Sequence, residues 1–168
     1  MQEQLQRYLN HSKIDVVFKQ SKDDFVVTEE PLYEFSGEGE HLILKIRKKD
    51  LSTWDAVEII ASFVVCKTRD IGYAGLKDKN AMTVQCISIN KQYEEKLDSF
   101  SHSNIKILEK TYHNNKIKVG HLKGNKFFVR LKRVNLVDCR KIEAALGQIA
   151  TLGMPNYFGF QRFGVEGN

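Results

Sequence analysis

The segment His41 to Arg47 sets Leu42, Leu44 and Ile46 against more polar neighbours, the period-two signature of a strand with one buried face. Such a pattern commits the segment to a sheet, and several other segments share the commitment. Ile14 to Gln20 and Phe25 to Glu29 are predicted strands separated by the polar Ser21–Asp24 turn, with Pro31 closing the second. Gly37 and Gly39 mark the next turn, and Thr83 to Ile89, Ile105 to Tyr112 and Lys126 to Val134 are further strand candidates. Ser52 followed by Asp55 resembles a capping box, and the segment to about Cys66 places Trp54, Val57, Ala61, Val64 and Val65 on one apolar helical face. A short helical segment is predicted around Glu94 to Phe100. Asp138 is the expected N-cap of a last helix carrying Ile142, Ala145, Leu146 and Ile149, which Gly153 stops. Strands outnumber helices and do not alternate strictly with them. The fold class is therefore α+β, a mostly antiparallel mixed sheet flanked by helices.

At 168 residues the chain can bury a real core without staples. Its formal net charge of +5 permits a polyanionic partner without requiring one. The distribution says more. Lys110 to Arg133 holds eight lysines and arginines and no carboxylate, with Tyr112, Phe127 and Phe128 interleaved, a pattern suited to phosphates and stacked bases. Asp23 to Glu40 is the converse, with seven carboxylates and no lysine or arginine. Cys66, Cys86 and Cys139 form an odd, widely spaced set. Cys66 and Cys86 lie in apolar surroundings and are expected to be buried thiols, which suits a reducing, cytoplasmic setting. The histidines are scattered and suggest no metal site. The polar Met1–Asn10 stretch argues against a secretory signal, and Ile59 to Val65 is too short to span a membrane.

Three segments carry chemistry. Gly72 to Gln85 (Gly-Tyr-Ala-Gly-Leu-Lys-Asp-Lys-Asn-Ala-Met-Thr-Val-Gln) puts Asp78 between Lys77 and Lys79 in a glycine-marked loop running into a strand. Gly120 to Phe127 reads Gly-His-Leu-Lys-Gly-Asn-Lys-Phe, and Asn156 to Gly164 reads Asn-Tyr-Phe-Gly-Phe-Gln-Arg-Phe-Gly. In sequence, order and spacing these resemble the TruD family of RNA pseudouridine synthases. The Gly-Leu-Lys-Asp run is not a phosphate-binding P-loop, because it lacks the glycine spacing and the Lys-Ser/Thr pair. Taken alone, Lys77-Asp78-Lys79 reads as an exposed turn.

The resemblance implies the antiparallel, helix-flanked sheet of pseudouridine synthases and the isomerisation of uridine to pseudouridine in tRNA, at position 13, with no cofactor and no metal. It implies that Asp78 is the catalytic carboxylate, as nucleophile or as base toward the ribose. Phe127 would stack the target base and Asn125 would hold the active-site loop or the aspartate. Periodicity alone would put Phe128 toward RNA and Phe127 in the core. Lys19 is the implied basic partner of the carboxylate. Lys77, Lys79, His121, Lys123, Lys126, Arg130, Gln161 and Arg162 are the expected RNA contacts. Family members continue into an inserted domain and a return to the catalytic sheet. Residues 1–168 are therefore expected to be the N-terminal portion of the catalytic domain, and a non-catalytic RNA-binding fragment is the alternative. The sequence leaves the oligomeric state open.

Overall fold

The computed structural model describes residues 8, 9 and 11–155, and the chain divides into two compact units. The larger runs from Phe18 to Leu131; the other comprises residues 1–17 and 132–168.

The larger unit is built on a six-stranded sheet: β2 (Phe25–Pro31), β3 (His41–Lys49), β4 (Gly72–Tyr73), β5 (Met82–Asn90), β6 (Ile105–His113) and β7 (Leu122–Val129). Strand order is β6-β3-β5-β2-β7, with β4 also paired to β5. The β2–β5 pairing is parallel and the other pairings are antiparallel. Two short strands, β1 (Val17–Phe18) and β8 (Leu131–Lys132), lie outside this sheet.

The alternation in β3 decides which face is covered. Leu42, Leu44 and Ile46 pack with Ile87 and Ile89 of β5 beneath α1 (Thr53–Val64). The helix supplies Ala56, Val57, Ile60, Ala61 and Val64 to this cluster, and Leu97 of α2 (Glu94–Asp98) joins it. The capping box forms as expected. Ser52 Oγ accepts from the Asp55 N–H at 3.1 Å, and the Asp55 carboxylate accepts from the Ser52 N–H at 2.8 Å. The apolar stripe is rotated by about one residue from the predicted one. Trp54 is 58% exposed, lying edge-on to Tyr73, and Val65 is the left-handed C-cap rather than a core residue. A smaller cluster of Ile43, Ala74, Cys86 and Ile117 includes the opposite face of β3.

The predicted Ile14–Gln20 strand shrinks to Val17–Phe18, and it stops at Lys19, whose left-handed backbone (φ 54°) departs from the extended conformation. The predicted Lys126–Val134 strand is interrupted at Arg130, although the Arg130 N–H still donates to the Asp24 carbonyl in the β2–β7 register, and Arg133 is left-handed (φ 58°). Cys86 is buried as expected, whereas Cys66 is only partly so.

In the second unit α3 spans Leu136–Leu152. Its N-cap is Asn135, not Asp138. The Asn135 side chain accepts from the Asp138 N–H, and the Asp138 carboxylate is bonded by Asn135 Nδ2 and paired with Lys141, each at 2.9 Å. An acidic residue in the first turn suits the helix dipole, which explains why Asp138 mimicked a cap in the sequence. Gly153 (φ 78°) ends the helix.

Candidate active site

Residues 74–81 leave β4, carry Asp78 and return into β5. β3 occupies one side of β5 throughout, so β2 and β4 must share the other. β2 pairs with residues 82–84 and β4 with residues 87–88, leaving a gap between them at Gln85 and Cys86. Glu29, one residue past the last β2–β5 pair, fills it. Its carboxylate accepts from the Cys86 N–H at 3.2 Å and lies 2.8 Å from Lys77 Nζ. The Glu29 and Lys77 side chains are only 1% and 4% exposed. A buried charge is tolerable when paired and hydrogen-bonded, and each of these supplies the other's counter-charge. Gly72 begins the approach to the loop under tight constraint. A Cβ there would strike the Ile117 carbonyl oxygen and lie 2.5 Å from Ser88 Oγ.

The loop is also tied to β3 and to the start of α1. Lys48, the last residue of the inward-facing series in β3, is fully buried. Its ammonium donates to the carbonyls of Leu51 (2.6 Å), Asp78 (3.2 Å) and Lys77 (3.4 Å). Burial, helped by the Lys77 charge, lowers the Lys48 pKa to about 8 against the opposing pull of the Asp78 and Asp55 carboxylates. Thr53 Oγ1 accepts from the Lys77 N–H at 2.9 Å and donates to Gln85 Oε1 at 3.1 Å. The main chain at Lys77 and Asp78 is therefore fixed from below, while the Asp78 residue itself is exposed.

The two lysines flanking Asp78 are not equivalent. Lys77 turns inward to Glu29, whereas Lys79 is exposed. The lysine bound to the Asp78 main chain is Lys48. Lys19 lies elsewhere: its ammonium sits 3.9 Å from the centroid of the Phe25 ring, and no ion pair among the described residues joins it to Asp78.

Asn125 stands opposite Glu29 in the β2–β7 register, and Phe127 opposite Val27, so the Asn-x-Phe pair shares the face that carries the Glu29–Lys77 pair. Asn125 Oδ1 is buried without a hydrogen-bond partner among the described residues. Phe127 is 62% exposed and Phe128 50%, so neither ring is in the core that periodicity had suggested for Phe127. Phe25 lies 6.0 Å from Phe127, ring centroid to centroid, so Lys19, Phe25 and Phe127 form a continuous cation–aromatic strip.

The acidic and basic stretches of the sequence turn out to be neighbours, because β2 and β7 pair antiparallel. Lys126 pairs with Glu30 at 2.8 Å, and Arg130 lies 3.6 Å from the Asp24 carboxylate. Lys126 and Arg130 thus have carboxylate partners within the fold while their side chains stay exposed. Lys123 is exposed and lines the groove beside Glu30 and Lys126. His121 is set apart with Tyr33, whose hydroxyl lies 2.7 Å from His121 Nδ1. Gln161, Arg162 and the rest of the Asn156–Gly164 motif lie outside the described residues. Among the described residues no group of three or more His, Cys, Asp and Glu side chains could hold a metal ion, and no helix is long and apolar enough to cross a membrane.

Sequence reasoning missed Glu29 and Lys48, although both leave a signal. Glu29 continues the Phe25, Val27 phase of β2, and Lys48 continues the Leu42, Leu44, Ile46 phase of β3. A charged residue in the inward phase of an alternating strand must be buried with partners, which marks it for attention. Thr53 and Gln85 carry no comparable signal.

Comparison with known proteins identifies the family of the chain. The family model for tRNA pseudouridine synthase D (TruD) matches residues 4–167. A tRNA pseudouridine synthase D of Sulfurimonas denitrificans is 62% identical over 95% of this chain, and one of Nitratiruptor is 59% identical over 96%. The chain spans 45% of the length of each of these curated relatives. A crystal structure from Methanosarcina mazei that carries the same family name superposes with a TM-score of 0.79 at 28% identity, covering 93% of this chain and 37% of that one. With the family model matching nearly its whole length, the chain belongs to the tRNA pseudouridine synthase D (TruD) family.

Proposed function

We propose that this chain carries the catalytic carboxylate of an enzyme that isomerises a uridine of tRNA, at position 13, to pseudouridine, and that it is the N-terminal portion of that enzyme's catalytic domain. The observation that carries this reading is Asp78, an exposed carboxylate on a loop whose main chain is held by buried Lys48, Thr53 and the Glu29–Lys77 pair. A reacting group fixed from below and open above is pre-organised for a substrate that approaches from solvent. Isomerisation breaks the C1′–N1 bond, turns the base and joins C5 to C1′; the C5 hydrogen leaves as a proton and N1 gains one. Asp78 acts at the ribose, as nucleophile or as base. Phe127 offers the flipped uracil a ring to stack on, and Asn125 Oδ1 is an acceptor awaiting a donor. Lys79 and Lys123 are exposed and meet the phosphates; Gln161 and Arg162 are further RNA contacts in this proposal. The same reading puts the protein in the cytoplasm, where tRNA is modified.

The test is release of tritium from tRNA labelled at uridine C5. The protein is expected to release label, and Asp78→Asn to lose at least about a thousandfold of that rate, or about 4 kcal/mol of barrier. Asp78→Asn should retain tRNA affinity. A substituted protein that still turns over within tenfold (roughly 1.4 kcal/mol) removes Asp78 from the reaction. Binding of tRNA with no release even by the unsubstituted chain would favour the binding fragment.

A further inference from the structure

Lys48 occupies a position in β3 where the alternation otherwise places leucine or isoleucine. Its neighbours in phase are Leu42, Leu44 and Ile46, and it is fully buried. Burying a lysine sacrifices the hydration of an ammonium and the freedom of a long side chain, so its presence calls for compensation. An ammonium has three N–H donors, and here three carbonyl oxygens receive it: Leu51 ahead of α1, and Lys77 and Asp78 in the loop. No carboxylate touches it in an ion pair among the described residues. The charge is stabilised by carbonyl dipoles and, at longer range, by Asp78 and Asp55, against repulsion from Lys77. The Glu29–Lys77 pair fixes the other side of the loop, so Lys77 cannot perform this task.

We propose that Lys48 is the positioning residue of the reaction, a buried cation that clamps the Lys77 and Asp78 carbonyls to the start of α1 and so holds the Asp78 carboxylate at its working place. The proposal rests on Asp78 being the catalytic group. Lys48 touches no substrate. Its removal therefore acts on turnover through Asp78 and leaves the RNA-facing surface as it was.

Two measurements decide it, both on the purified protein with tritiated tRNA and with Asp78→Asn run alongside. In Lys48→Met, a side chain of similar length without the charge, single-turnover kcat is expected to fall about a hundredfold, as a small misplacement of a reacting group does. Affinity for tRNA should stay within about threefold. Turnover of a folded Lys48→Met within about threefold of the unsubstituted rate overturns the proposal. So does a variant that loses affinity and keeps kcat, since Lys48 would then be a binding cation. Should Lys48→Met not fold, the pH profile of the unsubstituted protein decides. The groups facing Lys48 are Asp78, Asp55 and Lys77, and its own charge is present below about pH 8 and lost above it. The single-turnover rate should accordingly fall above that pH with the circular dichroism unchanged, and a rate flat through roughly pH 9 overturns the proposal. An inactive Asp78→Asn beside an unaffected Lys48→Met would sink this inference alone. An active Asp78→Asn sinks the functional reading on which it rests.

Discussion

Breaking the Glu29–Lys77 pair from one side should be far more damaging than removing both charges. In Lys77→Met the Glu29 carboxylate keeps the Cys86 N–H and loses the cation 2.8 Å away, in a site where its side chain is 1% exposed. A buried charge stripped of its partner costs about 3–5 kcal/mol. That is a large part of the roughly 5–15 kcal/mol that holds a typical domain folded. At about 2–4 °C per kcal/mol for a chain of this size, the midpoint should drop by roughly 6–20 °C. Glu29→Gln alone should be comparably harmful, because it leaves the Lys77 ammonium buried. Glu29→Gln combined with Lys77→Met is different. The introduced amide can still offer an oxygen to the Cys86 N–H, and no charge remains to be desolvated. The double substitution is expected to recover to within about 1–2 kcal/mol of the unsubstituted protein. The assay is urea unfolding of the four proteins in a double-mutant cycle, followed by far-ultraviolet circular dichroism. A single substitution costing less than about 1 kcal/mol would show the pair to be solvated. A double substitution no better than Lys77→Met would show that packing around the lysine stem, and not charge, fixes the loop.

Two further outcomes follow from the site and from the first turn of α1. Phe127→Ala should weaken tRNA binding or turnover by about 5- to 150-fold, the equivalent of the roughly 1–3 kcal/mol of one base–aromatic stack, while Phe128→Ala changes it less; filter binding and tritium release together measure it, and equal effects would undo the assignment. The Asp55 carboxylate is held below its ordinary value of 3.8, chiefly by the Ser52 N–H. A depressed carboxylate stabilises the fold above its unfolded pKa and loses that contribution as pH falls through the folded one, so Asp55→Asn should lower stability at pH 7 and flatten the acid limb below about pH 4. Thermal melts across that range test it, and parallel acid limbs in the two proteins would refute it.

Patterns that one strand or one helix can satisfy by itself were legible. The β3 alternation, the Ser52–Asp55 cap and the turn glycines each depend on neighbours a few residues away, and each appears in the structure where it was expected. Misjudged details depended on partners far along the chain. Lys126 is drawn into a pair with Glu30 across the sheet, and Trp54 is turned outward toward Tyr73. The same division runs through the site. The motif around Asp78 was visible because it is contiguous, and by resemblance it named Asp78, Asn125 and Phe127.

Which charges serve the loop and which serve the fold is a matter of strand order. Only because β2 lies between β5 and β7 does Glu29 meet Lys77, while Glu30 and Asp24 meet Lys126 and Arg130. The sequence by itself determined the strand-forming segments and the residue types available for chemistry, since periodicity and motif are local. Tertiary structure alone decided that the loop stands on Glu29, Lys48, Thr53 and Gln85, contributed by β2, β3, α1 and β5. Buried polar groups must find their partners across the sheet, and one-dimensional spacing does not record which strand becomes the neighbour.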